Sequence, residues 1–115
     1  MFMNELKEII PEIIEILKSL KPYKVILFGS LINNNSTTAN DIDIAVILNS
    51  DVFPKSFEDR MKNAILVEEL LFDLSTCYPL DITVYTKAEF ERLNEQEQAF
   101  AREINSGTIL YDIAS

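Results

Sequence analysis

Apolar side chains recur along the chain at two spacings, one typical of helices and one typical of buried strands. Over residues 5–20 they recur at helical spacing, which predicts an amphipathic helix with Asn4 as its N-cap. Pro11 falls inside this stretch and is expected to kink the helix or to mark the start of its main part. The apolar stripe of this helix is expected to pack in the core, and the alternative is that some of it serves a dimer.

Two further stretches predict helices in the second part of the chain. Residues 56–75 form a long helical pattern that Ser56 can cap, with Asp59 at the capping-box position. Residues 87–105 are helical in pattern, in one piece or two, and Gly107 follows as the predicted C-cap. Glu68, Glu69 and the acidic residues of 89–103 predict a solvated helix face.

Four stretches predict strands. Residues 23–29 and 41–48 are nearly continuous apolar runs, of the kind that is buried on both faces of a sheet. Residues 80–86 predict a third strand, and residues 108–112 a short fourth strand or a docked tail. A polar loop, residues 33–40, separates the first two strands. This order predicts an α/β (α+β) fold, in which helices flank a small mixed sheet of three or four strands.

The composition indicates a single globular domain over residues 1–115. The chain is 48% hydrophobic and 25% charged, which supplies enough apolar material for a core. No apolar run reaches ~18 residues. The N-terminus lacks the basic start and apolar centre of a signal peptide. We therefore expect a cytoplasmic protein that does not associate with a membrane.

Charge narrows the partners that the chain can bind. The net charge is −9, and residues 51–115 carry thirteen acids against six bases. Binding to nucleic acid needs Lys and Arg to neutralise phosphates, so direct nucleic-acid binding is not expected. The excess of acid suits a protein that docks on a basic partner.

The absence of histidine and the presence of one cysteine, Cys77, limit the chemistry. A structural zinc site and a His-based catalytic triad are both excluded. Any metal site must rely on oxygen ligands, which favours Mg²⁺, Mn²⁺ or Ca²⁺.

Three aspartates stand at the start of two predicted strands. Asp41 and Asp43 point to the same side, because side chains alternate along a strand, and Asp81 opens the third strand in an equivalent way. If these strands are neighbours, three carboxylates converge at one edge of the sheet. Two such charges ~6 Å apart repel by roughly 3 kcal/mol at an effective dielectric of 20, and a divalent cation would relieve this repulsion. The alternative is that the aspartates only cap loops and turns.

Gly29 and Ser30 end the first strand, just before the polar loop. A glycine at a strand end lets the backbone approach a phosphate closely, and backbone N–H groups together with a serine hydroxyl can bind its oxygens. The alternative is an ordinary tight turn. The pattern G-S-x10-D-x-D, formed by Gly29, Ser30, Asp41 and Asp43, resembles the motif of the polymerase-beta-like nucleotidyltransferases. The chain length is similar to that of the minimal nucleotidyltransferases of this superfamily.

The resemblance implies a role for each of these residues. Asp41 and Asp43 would hold two Mg²⁺ ions, and Asp81 would bind a metal and activate the attacking hydroxyl. Gly29 and Ser30 would hold the triphosphate of ATP. The implied reaction transfers AMP from ATP to a hydroxyl and releases pyrophosphate.

Two positions depart from the family's pattern. Members commonly carry a basic residue directly after the Gly-Ser pair and a glycine three residues later. Here these positions hold Leu31 and Asn33, or Asn34 if the glycine is counted one residue further on. Asparagine can adopt the left-handed backbone that a glycine provides, whereas the loss of the base would weaken triphosphate binding.

Minimal nucleotidyltransferases are similar to the antitoxin partners of HEPN-domain toxins, which are encoded by adjacent genes. The resemblance therefore implies AMP transfer to a tyrosine of a HEPN toxin, neutralisation of that toxin in a complex, or both. A homo-oligomer and a hetero-oligomer are both compatible with it. Two alternatives stay open: a catalytically weak module of the same fold that neutralises its toxin by binding alone, and a standalone transferase for a small molecule.

Overall fold

A computed structural model describes the backbone of residues 3–29 and 41–114, with side chains from residue 7 onward. The described strands form one mixed sheet in the order β3-β2-β1-β4. β1 (Lys24–Phe28) lies antiparallel to β2 (Ile42–Leu48) and to β4 (Thr108–Asp112), while β3 (Leu80–Thr86) lies parallel to β2. The predicted mixed sheet is confirmed, and residues 108–112 are a strand and not a docked tail.

Helices cover both faces of the sheet, which confirms the predicted fold class. Within the described ranges they are α1 (Met3–Leu17), α2 (Phe57–Leu70), α3 (Phe72–Cys77), α4 (Lys87–Glu95) and α5 (Ala99–Asn105). A 3-10 turn, Lys18–Leu20, extends α1. Among the helices of these ranges, none has both the length and the apolar character needed to span a bilayer.

The sheet separates two apolar cores. The first lies against α1, α2 and α3 and comprises Ile9, Ile13, Leu17, Val25, Leu27, Ile42, Ile44, Val46, Val67, Leu71 and Leu74. The second lies against α4 and α5 and comprises Ile26, Phe28, Ala45, Ile47, Phe90 and Ile104. β2 contributes to both cores because successive side chains point to opposite faces, which explains why its sequence is a continuous apolar run.

The first helix differs from its prediction at the N-terminal end. It begins at Met3, so Asn4 lies inside the helix and its predicted role as N-cap is wrong. Methionine is itself a good helix former, and this favours extending the helix by the additional residue. Pro11 also lies inside α1 and does not end it. Ile9, Ile13 and Leu17 of α1 are fully buried, and this packing outweighs the backbone hydrogen bond that the proline removes.

The predicted helix over residues 56–75 is divided at Leu71 into α2 and α3. Leu71 has φ −93° and ψ 6°, which departs from helical geometry, and its side chain is fully buried. The turn allows Val67, Leu71 and Leu74 all to pack in the first core against the sheet. The predicted N-cap is confirmed, since the Ser56 hydroxyl accepts the backbone N–H of Asp59 at 3.2 Å.

Residues 87–105 form two helices, which was one of the predicted alternatives. Two other predictions for this stretch were wrong. The C-cap of α5 is Ser106 and not Gly107. Gly107 instead lies where the backbone passes very close to β1. A Cβ built on Gly107 would overlap the Leu27 carbonyl oxygen and lie 2.8 Å from Phe28 Cβ. The chain therefore needs a glycine where it passes β1 on its way into β4.

The second error concerns Glu89, which was predicted on a solvated face but is only 7% exposed. Glu89 Oε1 accepts the backbone N–H of Thr86 at 2.9 Å, and Thr86 Oγ1 accepts the backbone N–H of Glu89 at 3.1 Å. This capping box starts α4 directly at the end of β3. Arg60 Nε lies 3.7 Å from the second carboxylate oxygen and offsets its charge.

Candidate active site

Two aspartates are placed side by side by the register of the sheet. β2 and β3 are neighbours and parallel, and Asp43 pairs directly with Asp81. Paired residues on adjacent strands have backbones about 4.8 Å apart and point to the same face. The two carboxyl groups are close enough to share a hydrogen bond. Asp43 is half-buried, whereas Asp81, on an edge strand of the described sheet, is exposed to solvent.

Further carboxylates surround this pair. Asp41 immediately precedes β2, and Glu103 projects from α5, which packs on the same face of the sheet. Burial raises the pKa of Asp43 from 3.8 to about 6, with the charge and hydrogen bond of Asp81 adding to the effect. The charges of Asp41 and Glu103 raise this pKa further. The protein therefore holds Asp43 at a position where its negative charge is unfavourable.

Basic side chains do not compensate this cluster in the described part of the chain. The ion pairs found there are Glu15–Lys18, Arg60–Glu89 and Lys87–Glu91, and none includes an aspartate of the cluster. A small domain retains such repulsion at a cost in stability, so the arrangement points to a cationic ligand.

Gly29 brings the backbone against the paired carboxylates. It follows β1 with φ +92°, in the region that favours glycine. A Cβ built on Gly29 would overlap Asp43 Oδ2 and lie 2.9 Å from Asp43 Cγ. The absence of a side chain at residue 29 therefore lets the Asp43 carboxylate lie directly against the backbone. Ser30, Leu31, Asn33, Asn34 and the rest of the predicted polar loop lie outside the described residues.

The chemistry of the donor set fits a hard divalent cation. The available ligands are carboxylate oxygens, which Mg²⁺ prefers, and the local charge is strongly negative. Over residues 3–29 and 41–114, however, no three His, Cys, Asp or Glu side chains are placed to hold one metal ion together. The structure brings Asp43 and Asp81 together and leaves Asp41 beside them at the same edge. Asp43 and Asp81 are therefore the pair that could contribute to a metal site, with Asp41 nearby.

An aromatic row lines the sheet face on which the aspartates lie. The Phe100 ring meets Phe28 edge-on at a centroid distance of 5.7 Å and Tyr85 at 6.5 Å. Burial, and then the charge of Glu89, raise the pKa of the Tyr85 hydroxyl. Phe100 and Glu103 could not be predicted as neighbours of the site, because α5 carries no motif. Only the docking of α5 on the sheet brings Glu103 near Asp43 and Phe100 against Phe28 and Tyr85.

Comparison with known proteins agrees with this geometry. No curated protein sequence matches the chain. A family model described as polymerase beta, nucleotidyltransferase matches residues 11–114. The matched range includes the whole sheet, Gly29 and the aspartates at the starts of β2 and β3. The chain belongs to the polymerase beta nucleotidyltransferase family and carries a nucleotidyltransferase domain.

Proposed function

We propose that the protein transfers AMP from ATP to a tyrosine hydroxyl of a HEPN-domain toxin in the presence of Mg²⁺, and so acts as the antitoxin of that toxin. The observation that carries the nucleotidyl transfer is the Asp43–Asp81 pair, held in register on parallel strands with Gly29 against it. The tyrosine target and the toxin come from the resemblance to minimal nucleotidyltransferases.

The residues that would hold Mg²⁺ are Asp41, Asp43 and Asp81. The metal would neutralise the charge of the triphosphate and of the carboxylates that face it. The backbone at Gly29 lies directly against the Asp43 carboxylate, where a backbone N–H could contribute to phosphate binding. A triphosphate suits this combination because it would arrive with Mg²⁺, and the positive charge of the metal would compensate the repulsion among the carboxylates.

The proposed reaction is a single displacement at phosphorus. The acceptor oxygen forms a bond to the α-phosphorus, the bond from that phosphorus to the bridging oxygen of the β-phosphate breaks, and pyrophosphate leaves. Asp81 takes the proton of the acceptor hydroxyl. Asp81 suits this role because it is exposed at the sheet edge, where an acceptor can reach it, while Asp43 is half-buried beside it.

A macromolecular acceptor fits the position of Asp81. β3 is an edge strand of the described sheet, so a tyrosine carried on another protein can approach from solvent without entering a closed pocket. The net charge of −9 favours a basic partner. Both features support a protein target over a small molecule that needs an enclosing site.

The test is transfer of radiolabel from α-labelled ATP to the product of the adjacent gene. Asp43→Asn is the active-site variant, and Asp51→Asn, which alters an exposed carboxylate in a loop, is the matched control. We expect labelling with wild type and Asp51→Asn, no labelling with Asp43→Asn, and loss of labelling when the acceptor tyrosine is replaced by phenylalanine. Absence of any transfer to, and of any binding by, the neighbouring protein would refute the proposal.

The same variant separates the alternatives. An antitoxin that acts by binding alone protects cells from the toxin equally well with Asp43→Asn. An enzyme loses protection with that substitution and keeps it with Asp51→Asn. A standalone small-molecule transferase consumes ATP with its acceptor when no neighbouring protein is present.

A further inference from the structure

A cavity of about 370 Å³ lies beside the C-terminal half of β3, away from the paired aspartates. Its described walls come from the loop after β2, the first turn of α2, the end of β3 and α4. Tyr85 lines it and points to the same face of the sheet as Asp81, four residues earlier on β3. At a rise of roughly 3.3 Å per residue, the two residues are about 13 Å apart. The cavity is therefore separate from the candidate active site.

The cavity wall carries hydrogen-bond donors that no described acceptor satisfies. Arg60 and Arg92, two of the three arginines of the chain, line it together with the Tyr85 hydroxyl. None of these three side chains makes a hydrogen bond to another described residue. The Gln96 carboxamide also lines the cavity, and only its oxygen is engaged, by Gln98 at 3.4 Å. An excess of donors favours a ligand rich in acceptors.

The charge of the cavity favours an anion. Glu89 is the one acid among the described lining residues, and its Oε1 already accepts the backbone N–H of Thr86 at 2.9 Å. Its Oε2 lies 3.7 Å from Arg60 Nε. Two arginines and one glutamate give the described lining a net charge of +1, in a chain whose net charge is −9. The neighbouring acids Glu95 and Glu97 are not among these lining residues.

Arg92 is held in place without an ion pair. Its guanidinium carbon lies 4.8 Å from the centroid of the Phe53 ring, and no described carboxylate pairs with it. A guanidinium over an aromatic ring keeps the N–H groups at its edge free, and these match two oxygens of a phosphate. Phe53 and Leu93 add apolar surface to the same cavity.

We propose that this cavity binds an organic phosphate monoester that carries a planar ring. The phosphate presents three acceptor oxygens to the donors of Arg60, Arg92 and Tyr85, whereas a carboxylate presents two. The volume falls in the range of small-molecule sites, about 300–1,000 Å³, so a bare phosphate would leave most of it empty and a ring can occupy the part beside Phe53 and Leu93.

The Tyr85 hydroxyl is available as a donor at neutral pH. Burial, and then the charge of Glu89, raise its pKa, so it keeps its proton. The inference goes beyond the proposed transfer reaction, because the cavity uses none of the aspartates.

The experiment is an NMR titration of the isotope-labelled full chain with phenyl phosphate, in the presence of a chelator. Phenyl phosphate should bind at least about tenfold more tightly than inorganic phosphate, which lacks the ring, and than benzoate, which lacks the phosphate. The backbone amide signals of Phe53, Arg92 and Gln96 should shift, and those of Gly29 and Asp43 should not.

Four variants assign the binding to the cavity. Arg92→Gln should weaken it about tenfold or more, and Tyr85→Phe, which removes only the hydroxyl, about threefold or more. Arg102→Gln is the matched control, because it makes the same change at an exposed arginine that is not among the described lining residues. Asp43→Asn should bind phenyl phosphate as wild type does, which separates this site from the proposed transfer. Circular dichroism verifies that all four are folded.

AMP as a second probe distinguishes two sources of such a ligand. Tighter binding of AMP than of phenyl phosphate indicates a free nucleotide, and the reverse indicates a phosphorylated tyrosine; both results support the site. Absence of binding at millimolar phenyl phosphate overturns the proposal. Equal binding of benzoate and phenyl phosphate, equal effects of Arg92→Gln and Arg102→Gln, or signal shifts confined to Gly29 and Asp43 also overturn it.

Discussion

Replacing Asp43 by asparagine should stabilise the metal-free protein at neutral pH while it removes the transfer activity. In the folded protein the pKa of Asp43 is raised from 3.8 to about 6, chiefly by burial and by the neighbouring charge of Asp81. The folded state therefore binds a proton more tightly than the unfolded state between these values. The associated stability is complete below about pH 4 and is lost as the pH rises through about 6.

Asparagine at residue 43 has nearly the shape of the protonated aspartic acid and can still donate a hydrogen bond to Asp81, but it never ionises. The full shift in the pKa of Asp43 corresponds to about 3 kcal/mol. Because the carboxyl group is only partly buried and solvent screens its charge, we expect a gain of about 1–2 kcal/mol above pH 7. For a domain of this size the melting temperature should rise by roughly 4–8 °C.

The assay is thermal unfolding of wild type, Asp43→Asn and Asp51→Asn from pH 4 to pH 8 in the presence of a chelator. The melting curves of Asp43→Asn and wild type should coincide near pH 4 and separate as the pH rises, while Asp51→Asn follows wild type throughout. Mg²⁺ should reduce the separation, because a cation stabilises only the charged site. A separation that does not depend on pH, or an Asp43→Asn variant that melts below wild type at pH 8, would refute this reasoning.

Three further predictions concern single features of the fold and the site. Gly29→Ala should destabilise the protein by about 2 kcal/mol or more and remove nucleotide binding, because the added Cβ would overlap the Asp43 carboxylate and residue 29 has a positive φ. Urea unfolding measures the loss of stability, and calorimetry measures the loss of binding. Thr86→Ala should cost about 1 kcal/mol by removing one half of the capping box of α4, and Ser56→Ala should cost a similar amount at α2; urea unfolding compares the two caps. Mg²⁺ with ATP should raise the melting temperature of wild type but not of Asp43→Asn, and no rise at millimolar ligand would count against a formed site.

Most of the fold could be predicted from the sequence, because local pattern and tertiary packing agree in it. The sequences of β1 and β2 are nearly continuous apolar runs, and α1 repeats apolar residues at helical spacing over several turns. Where the prediction was wrong, tertiary contacts determined the local structure. The break at Leu71 depends on packing against the sheet, and the need for Gly107 depends on how closely the chain passes β1.

The residue types of the candidate site could be predicted from the sequence. The residues that come to lie around them could be predicted less well. Alternation along a strand places Asp43 on a known side, yet its pairing with Asp81 depends on the parallel register, which no short motif specifies. Glu103 could not be distinguished from the other acids of its stretch, because its proximity to Asp43 arises only when α5 docks. The capping box at Thr86 and Glu89 was available in the sequence as T-x-x-E, directly after a predicted strand.

Because β2 and β3 pair in parallel, the site can form only late in folding. The connection between these strands runs through α2 and α3, so Asp43 and Asp81 meet only after the whole crossover has docked on the first core. A refolding chain that has formed its helices and the local β1–β2 hairpin still lacks the carboxylate pair. During refolding, recovery of nucleotide binding should therefore lag behind recovery of helical signal, and the length of the lag measures how long the crossover takes to close.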